Sequence, residues 1–359
     1  MNLRKPLDRK LNDILNQAQD MAGISQEQAV YLLRLDLCSP EVYALMGLAN
    51  GMSRQAFGGK GERHFHIGLN VEGCAYNCKF CSLAKQTGLF TQPREFGQEQ
   101  LLAWARQGQE QGADALNLMT TGRYPFARLL EVGAWLSREV SVPLVANTRD
   151  INHQEGEALL AAGFKGFYHA VRLREGTDTP FAEATRLQTV KVITDVGLAW
   201  MNCIEPVGPE HQPEEIARLM VLAREMGATY SGVMRRINFP GSPLGQHGMI
   251  NELEMARMVA VSRLVMGGMA KAHCTHEPNS AALMAGANLL FPEVGSSPRD
   301  AQADTGQGRG QDLAACGRLH REMGWDAGLP SNCFGHGQAG AGDLAACPSH
   351  YPGRACGQV

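Results

Sequence analysis

The sequence predicts an α/β protein with a TIM-type (β/α)8 barrel, complete or nearly so. Short apolar runs alternate with amphipathic helical patterns from about residue 64 onward, and this alternation predicts a parallel sheet. Eight such runs occur in series, which is the strand number of a TIM-type barrel. The chain has 359 residues, of which 44% are hydrophobic and 19% charged, so it is long enough for one large barrel and has an ordinary globular composition.

The predicted elements follow one another in a regular order. A helix before the barrel is predicted at 25–36, where Ser25 and Gln28 form a capping-box pattern. The strands are predicted at 64–70, 113–119, 142–147, 164–169, 198–203, 229–235, 268–274 and 287–291. The helices between and after them are predicted at 98–111, 126–139, 155–162, 183–196, 213–226, 252–266 and 279–285.

Three segments are predicted along the chain. Residues 1–60 form an N-terminal helical extension, residues 61–326 form the barrel, and residues 327–359 form a C-terminal tail that contains many glycines and three cysteines. Because the tail is rich in glycine and alanine, we expect it to be irregular. In barrels of this kind the loops that follow the strands carry the chemistry, so functional side chains are expected directly after strand ends.

The composition of the chain argues against some classes of function and favours others. The formal net charge of −3 gives no sign of a surface that binds nucleic acid. The charged N-terminus does not resemble a signal peptide and no run of 18 apolar residues occurs, so we expect a cytoplasmic protein with no membrane partner. Ten cysteines in that compartment are not expected to form disulfides, which favours metal binding or catalysis.

A group of three cysteines follows the first predicted strand. Cys74, Cys78 and Cys81 have C-x3-C-x2-C spacing, so their thiolates can converge on one iron–sulfur cluster. Four thiolates would saturate a cubane, whereas three leave one iron free for an exogenous ligand, as the open position of a catalytic zinc does. The alternatives are a structural zinc site, which would lack an obvious local fourth ligand, and coincidence among ten cysteines.

The spacing, with Phe80 as the aromatic residue before the last cysteine, resembles that of the radical S-adenosylmethionine enzymes. The resemblance implies that Thr120, Thr121 and Gly122 lie in the loop that receives the methionine amino group. It also implies that the stretch containing Gly208 and Glu210 supports the adenine.

The resemblance is closer to the biotin synthase branch of that superfamily. Arg186 stands where this branch has an arginine that pairs with the carboxylate of S-adenosylmethionine, and a guanidinium fits a carboxylate bidentately. The alternative is a solvated helix arginine. The G-S-P-L run at 241–244 and the segment 282–291 also match, and the resemblance spans roughly residues 60–326.

The resemblance implies a 4Fe–4S cluster that delivers one electron to S-adenosylmethionine. The 5′-deoxyadenosyl radical formed in this way would abstract hydrogen from an unactivated carbon. The implied partners are a small-molecule or carrier-bound acyl substrate and a reducing electron donor such as flavodoxin or ferredoxin, and a homodimer is an open possibility.

The cysteines in the barrel depart from the biotin synthase pattern. Biotin synthases hold a second, sulfur-donating cluster on three cysteines and an arginine, but here the second and third predicted strands have no cysteine. Cys203 and Cys274 remain, the latter beside two histidines. Either these two join other cysteines around a different auxiliary cluster, or there is none and each is a buried apolar thiol. The further candidates are Cys316, Cys333, Cys347 and Cys356.

Charged residues follow two other strands. Arg235, Arg236 and Asn238 end the sixth predicted strand, and a pair of arginines there predicts an anionic substrate such as a carboxylate, with an ion pair to a neighbouring helix as the alternative. The resemblance places groups that touch the ribose after the fourth strand, where the candidates are His169, Arg172, Arg174, Glu175 and Asp178.

Three functions are considered. The leading one is sulfur insertion into unactivated C–H bonds, giving biotin from dethiobiotin or a lipoyl group from an octanoyl group. The second is a related cofactor-maturation enzyme that inserts no sulfur. The third belongs to another class, an iron–sulfur electron carrier without turnover, and the three-thiolate motif argues against it because a carrier is expected to ligate its cluster fully.

Overall fold

The computed structural model describes residues 7–335. Its strands are β1 (Glu62–Gly68), β2 (Asn70–Val71), β3 (Arg94–Glu95), β4 (Ala115–Met119), β5 (Leu144–Asn147), β6 (Phe164–Tyr168), β7 (Ala199–Met201), β8 (Ile204–Val207), β9 (Tyr230–Arg235), β10 (Ala272–Thr275), β11 (Leu289–Leu290) and β12 (Glu293–Val294). Its helices are α1 (Arg9–Ala18), α2 (Gln26–Leu33), α3 (Pro40–Phe57), α4 (Gln98–Glu110), α5 (Phe126–Glu139), α6 (His153–Ala161), α7 (Glu183–Asp195), α8 (Pro213–Glu225), α9 (Glu252–Met266), α10 (Ser280–Met284) and α11 (Leu313–Glu322).

The parallel sheet closes into a barrel, as the sequence predicts. The pairing order is β1, β4, β5, β6, β7, β9, β10 and β11, and β11 pairs back with β1. The fifth barrel strand is interrupted at residues 202–203 and continues as β8, while the eighth continues as β12. All eight predicted strands and the seven helices predicted between and after them are confirmed, with helix ends within two residues.

Two features outside this pattern frame the barrel. A two-stranded antiparallel ladder, β2 with β3, flanks the cysteine loop. Helix α11 was not predicted, and it covers the start of β1 closely: a Cβ on Gly61 would lie 2.8 Å from the ring of His320. Cys316 lies on the buried face of α11, outside the barrel interior and in the main apolar core.

The helices before the barrel pack against its outer layer. The capping box of α2 is present, since the Ser25 hydroxyl accepts from the Gln28 N–H and the Gln28 side chain accepts from the Ser25 N–H. Helix α3 packs on α9 and donates from Ser53 to the carbonyl of Gly286, next to α10. In the described part of the chain, none of the helices is both long and apolar enough to cross a bilayer.

The barrel interior is lined by alternate residues of each strand. Along β1, Glu62, His64 and His66 face inward, whereas Phe65 and Ile67 join the apolar layer beneath the helices. The interior therefore contains polar side chains at several levels, which places titratable groups along the barrel axis.

Candidate active site

The three motif cysteines lie in one loop between β2 and β3. The loop folds back on itself because Cys74 N–H donates to the carbonyl of Leu83 at 2.7 Å and Lys85 N–H donates to the carbonyl of Cys74 at 2.9 Å. Cys74, Cys78 and Cys81 are each half-buried, and all three line the same cavity. The structure thus brings the motif thiols to one wall, at the carboxyl ends of the barrel strands.

Burial raises the pKa of two of these thiols, those of Cys78 and Cys81. It raises the pKa of Cys78 to about 11, against the nearby positive charges of Arg172 and Arg186. It raises the pKa of Cys81 to about 12, and the neighbouring thiol of Cys78 adds to that shift. Metal ligation requires thiolates, so cluster binding at this loop must release protons.

The cavity lined by the cysteines is about 1180 Å³, including its solvent-open mouth. The loop after β4 supplies Thr120, Thr121 and Gly122 to its wall. Thr121 is held in place because its N–H donates to Asn70 Oδ1 at 3.0 Å and its hydroxyl accepts from Asn70 Nδ2 at 2.8 Å. This loop is therefore tied to the chain that leads into the cysteine loop.

Tyr76, within the cysteine loop, lies against Gly122. A Cβ built on Gly122 would overlap with the Tyr76 ring, so the close approach requires glycine. The Tyr76 ring also makes an edge contact with Phe181, with centroids 4.8 Å apart. Sequence reasoning missed Tyr76, although an aromatic residue between two cluster cysteines was a usable signal.

Arg186 on α7 is buried and lines the cavity, so it is not a solvated surface arginine. Its Nη1 lies 3.1 Å from Asp150 Oδ2, and its Nε lies 3.2 Å from Glu175 Oε1. Its guanidinium stacks on Phe181 at 3.9 Å from the ring centroid. Among residues 7–335, Nη2 has no hydrogen-bond partner, so one edge of the guanidinium remains available to a ligand.

Asp150 is the residue that fixes Arg186, and sequence reasoning did not name it. Burial raises the pKa of Asp150, but the hydrogen bond with His169 and the charge of Arg186 outweigh burial and hold this pKa at about 2. The carboxylate also accepts from the Thr189 hydroxyl at 3.0 Å. A permanently ionised carboxylate thus orients the arginine toward the cavity.

A second ion pair lies beside Cys78. Arg172 Nη2 is 3.2 Å from Glu205 Oε1, and the other Glu205 oxygen accepts from the Tyr168 hydroxyl at 2.8 Å. The Arg172 guanidinium lies over Phe80, 5.6 Å from the ring centroid. Arg174 and Asp178, further candidates after the fourth strand, pair with each other rather than lining the cavity.

Two neutral histidines line the cavity from the barrel interior. Burial lowers the pKa of His66 to about 4, and its Nε2 donates to the Ser296 carbonyl at 3.1 Å. His276 stacks on Phe291 at 3.8 Å, and burial lowers its pKa as well. In the described chain, Nδ1 of His66 and both ring nitrogens of His276 lack hydrogen-bond partners, so they are available to a ligand. Sequence reasoning did not name His66, and it noted His276 only as one of the two histidines beside Cys274.

Cys203 and Cys274 come together inside the barrel. Both are completely buried, and the Cys274 thiol donates at 3.6 Å to the carbonyl of Asn202, the residue before Cys203. Burial raises the pKa of Cys203, and the Cys274 thiol raises it further. Glu205, which lines the cavity, follows Cys203 by two residues. The thiol pair therefore lies next to the cavity.

Two interior positions on the neighbouring strands β4 and β5 carry no thiol. Asn117 and Val145 face the interior from the second and third barrel strands. Asn117 is completely buried, and neither its amide oxygen nor its amide nitrogen has a partner within the described residues. Cys347 and Cys356 lie outside the described residues.

The residues predicted to support the adenine, and those predicted at the end of the sixth strand, lie mostly outside the cavity wall. Gly208 and Glu210 do not line the cavity, but Glu210 pairs with Arg236, which does. Asn238 accepts from Arg236 Nε at 3.3 Å. Arg235 points elsewhere and pairs with Glu277, and its Nη2 lies 3.6 Å from Glu252 of α9.

The chain was compared in sequence with curated proteins and in fold with solved structures. No family model matches the chain. The chain is 28% identical over 267 residues to a biotin synthase of Desulforudis audaxviator (strain MP104C), an alignment that covers 71% of this chain and 80% of that protein. It is 24% identical to a biotin synthase of Salinispora tropica, with the same coverage.

Solved structures share the fold. The crystal structure of methylornithine synthase (PylB) matches with a TM-score of 0.74 and 15% identity, and covers 88% of this chain and 97% of that one. The FeFe-hydrogenase maturase HydG from Carboxydothermus hydrogenoformans matches with a TM-score of 0.73 and 15% identity, over 90% of this chain and 80% of that one. The three-cysteine loop, the closed barrel and these sequence relatives together make the chain similar to the biotin synthases.

Proposed function

We propose that this protein abstracts hydrogen from an unactivated carbon and inserts sulfur at that carbon. The observation that carries the sulfur step is the buried pair Cys203 and Cys274, which lies next to the cavity that the loop cysteines line. Sulfur insertion needs a sulfur source beside the reacting carbon, and two adjacent thiols are the donors or cluster ligands that the interior offers.

The residues present fit a 4Fe–4S cluster and S-adenosylmethionine. Cys74, Cys78 and Cys81 provide three thiols on one wall, which leaves one iron for the small molecule. When bound, the two cofactors supply a 5′-deoxyadenosyl radical. We propose that the required electron comes from reduced flavodoxin or ferredoxin.

The chain's own residues bind and orient these groups. The free edge of the Arg186 guanidinium is suited to the carboxylate of S-adenosylmethionine, and Asp150 and Glu175 hold it there. The loop with Thr121 and Gly122 borders the same space and is suited to the amino group. The aromatic rings of Tyr76 and Phe181 cover this side of the cavity, which helps to exclude water from a reactive radical.

The cavity also favours an anionic substrate. Arg236 and Arg299 both line it. Arg236 is nearly inaccessible to solvent and pairs with Glu210, so it is rigidly placed. Arg299 pairs with Glu293, as Arg236 does with Glu210. Two arginines on the wall of a partly apolar cavity suit a carboxylate on an alkyl chain, which describes dethiobiotin.

The experiment has two readouts. The anaerobically reconstituted protein is incubated with reductant and S-adenosylmethionine, and 5′-deoxyadenosine is measured. Dethiobiotin or an octanoylated carrier peptide is then supplied, and mass spectrometry is used to search for added sulfur. Sulfur-containing product is expected from the wild type, and it should be lost in Cys274→Ser while Cys316→Ser, at a buried thiol outside the interior, retains it.

The controls separate the two parts of the proposal. Cys78→Ala should abolish both 5′-deoxyadenosine and product. A substrate-dependent rise in 5′-deoxyadenosine without added sulfur, unchanged by Cys274→Ser, would rule out sulfur insertion but leave the radical chemistry. An intact cluster that forms no 5′-deoxyadenosine would rule out the radical proposal.

A second candidate is a radical enzyme of the cofactor-maturation kind that inserts no sulfur. The observation in its favour is the absence of thiols at Asn117 and Val145, on two neighbouring interior strands. Such an enzyme needs a single cluster. Counting iron and sulfide after reconstitution distinguishes it, because about four irons per chain are expected for one cubane and more for a second cluster.

A further inference from the structure

The N-terminal mouth of the barrel carries a second group of metal-binding side chains, at the end opposite the cavity. Glu62 and His64 lie on β1, and Cys333 lies in the segment that follows α11. The carboxylate, the imidazole and the thiol each offer one donor atom, and these three atoms all lie within 4.8 Å of one another. Glu62 and His64 are completely buried.

The donor set fits zinc. A tetrahedral Zn²⁺ binds thiolate sulfur at about 2.3 Å and imidazole nitrogen or carboxylate oxygen at about 2.0–2.2 Å, so its donors lie about 3.3–3.6 Å apart. His64 Nε2 and Glu62 Oε2 are 3.6 Å apart. Mg²⁺ and Ca²⁺ prefer shells made of oxygen alone, and a shell with sulfur and nitrogen donors disfavours both ions.

A second observation points to a ligand at this position. Both ring nitrogens of His64 are buried without a hydrogen-bond partner, as is the hydroxyl of Tyr230, whose ring makes an edge contact with His64 at 5.5 Å. The Cys333 thiol also lacks a hydrogen bond within the described chain. Buried polar groups nearly always have a partner, so an imidazole whose Nδ1 has none and whose Nε2 has only the 3.6 Å contact with Glu62 indicates a further ligand.

Neighbouring groups already hold the donors in place. Glu62 Oε1 accepts from Asn332 N–H at 2.5 Å, and Oε2 accepts from the Ser331 hydroxyl at 2.9 Å. These bonds attach residues 331–332 to the first strand of the barrel and bring Cys333 to His64. Lys60 and Asp114, whose charges also act on these donors, pair with each other at 2.7 Å.

We propose that Glu62, His64 and Cys333 bind one Zn²⁺ that fastens the segment after α11 across the N-terminal mouth of the barrel. Binding displaces the thiol proton of Cys333 to solvent, so that thiolate and carboxylate balance the two charges of the ion. Three protein donors leave the fourth position for a water molecule. Its three donor residues do not line the cavity of the cysteine loop, and the proposal does not depend on the proposed function.

Metal analysis of the full-length protein with its cluster loaded tests the proposal, because occupied loop cysteines cannot bind zinc themselves. Zinc and iron are counted by mass spectrometry after removal of loosely bound metal, and zinc K-edge X-ray absorption reports the ligands. About one zinc per chain is expected, with one sulfur at about 2.3 Å and two or more nitrogen or oxygen donors at about 2.0–2.2 Å.

The variants identify the ligands. Cys333→Ser and His64→Gln should each lower zinc content at least about tenfold. Even substitutions of residues that only support the ligands lower metal affinity by about 10- to 100-fold. Cys316→Ser is the matched control and should keep zinc. Unchanged iron and an unchanged circular dichroism spectrum in Cys333→Ser would show that the loss of zinc does not come from misfolding.

Three results would overturn the proposal. The first is equal zinc in the wild type and Cys333→Ser. The second is zinc that disappears in Cys78→Ala but stays in Cys333→Ser, which would place it in the cysteine loop. The third is iron, rather than zinc, that depends on Cys333.

Discussion

Gly122, after the second barrel strand, lies directly against the ring of Tyr76 in the cysteine loop, and any larger residue at this position would overlap with that ring. The contact joins the loop suited to the methionine end of S-adenosylmethionine to the loop suited to the cluster. A displacement of one loop therefore displaces the other.

Gly122→Ala is expected to disturb catalysis more than cluster content. The added methyl group pushes on Tyr76, which is packed against Phe181 and cannot rotate freely. We expect a fall in 5′-deoxyadenosine formation of about 10- to 100-fold, the scale produced by small misplacements of reacting groups. Steady-state assays and iron counting check this, and the double variant Gly122→Ala/Tyr76→Leu should recover part of the rate because it removes the ring.

Arg186→Lys is expected to raise the KM for S-adenosylmethionine by about 10- to 100-fold, or about 1.4–2.8 kcal/mol. A lysine keeps the charge but cannot hold Asp150, Glu175 and a carboxylate ligand at the same time. Arg218→Lys is the matched control, because Arg218 forms a surface pair with Glu183. An unaltered KM in Arg186→Lys would contradict the assigned role.

Acidification is expected to weaken the loop after β8 through His211. His211 Nδ1 lies 2.9 Å from the Gly208 N–H and 3.1 Å from the Gly208 carbonyl, so the ring contacts both backbone groups of this residue. Burial lowers the pKa of His211. The unfolded chain therefore takes up the proton first as the pH falls below about 6.5, and the contribution of this group to stability decreases from there.

The measurement is the midpoint of thermal unfolding between about pH 7.5 and about pH 5.5, a range that spans the usual histidine pKa. His211→Gln should lose less stability over this range than the wild type. His153→Gln, at an exposed histidine of α6, should follow the wild type. Equal pH dependence in all three proteins would show that His211 does not titrate as expected.

Gly232→Ala is expected to destabilise the barrel by about 1–3 kcal/mol, as overpacking of a close-packed interior does. A Cβ on Gly232 would overlap with the carbonyl of Cys274 on the adjacent strand β10. Gly47→Ala in helix α3 is the contrasting variant, because nothing lies within 4 Å of the Cβ that it would add. Alanine at this position should stabilise the helix by about 0.5–1 kcal/mol. Thermal unfolding of both variants checks the difference in sign.

The fold was predictable because its signals are local. Strand–helix alternation appears directly in the pattern of apolar residues, and Ser25 with Gln28 marks a helix start. Helix α11 was missed because its buried face consists of Leu313, Cys316, Gly317 and His320, which form a weak apolar stripe.

The candidate site was predictable only in part. Cysteine spacing identifies the loop thiols, since the three ligands are close in sequence. Asp150 and His66 have no such pattern around them. They reach the cavity because barrel closure gathers residues from distant strands, and that convergence cannot be read from neighbouring residues along the chain.

The inward residues of β1 span the barrel from end to end: Glu62 and His64 serve the proposed zinc position, and His66 borders the catalytic cavity. All three side chains face inward because alternate residues of a strand point to the same side of the sheet. Inserting one residue before Glu62 and compensating after Gly68 would turn Arg63, Phe65 and Ile67 inward instead. Such a register shift within one strand would remove His66 from the cavity wall and the two donors from the proposed zinc position at the same time.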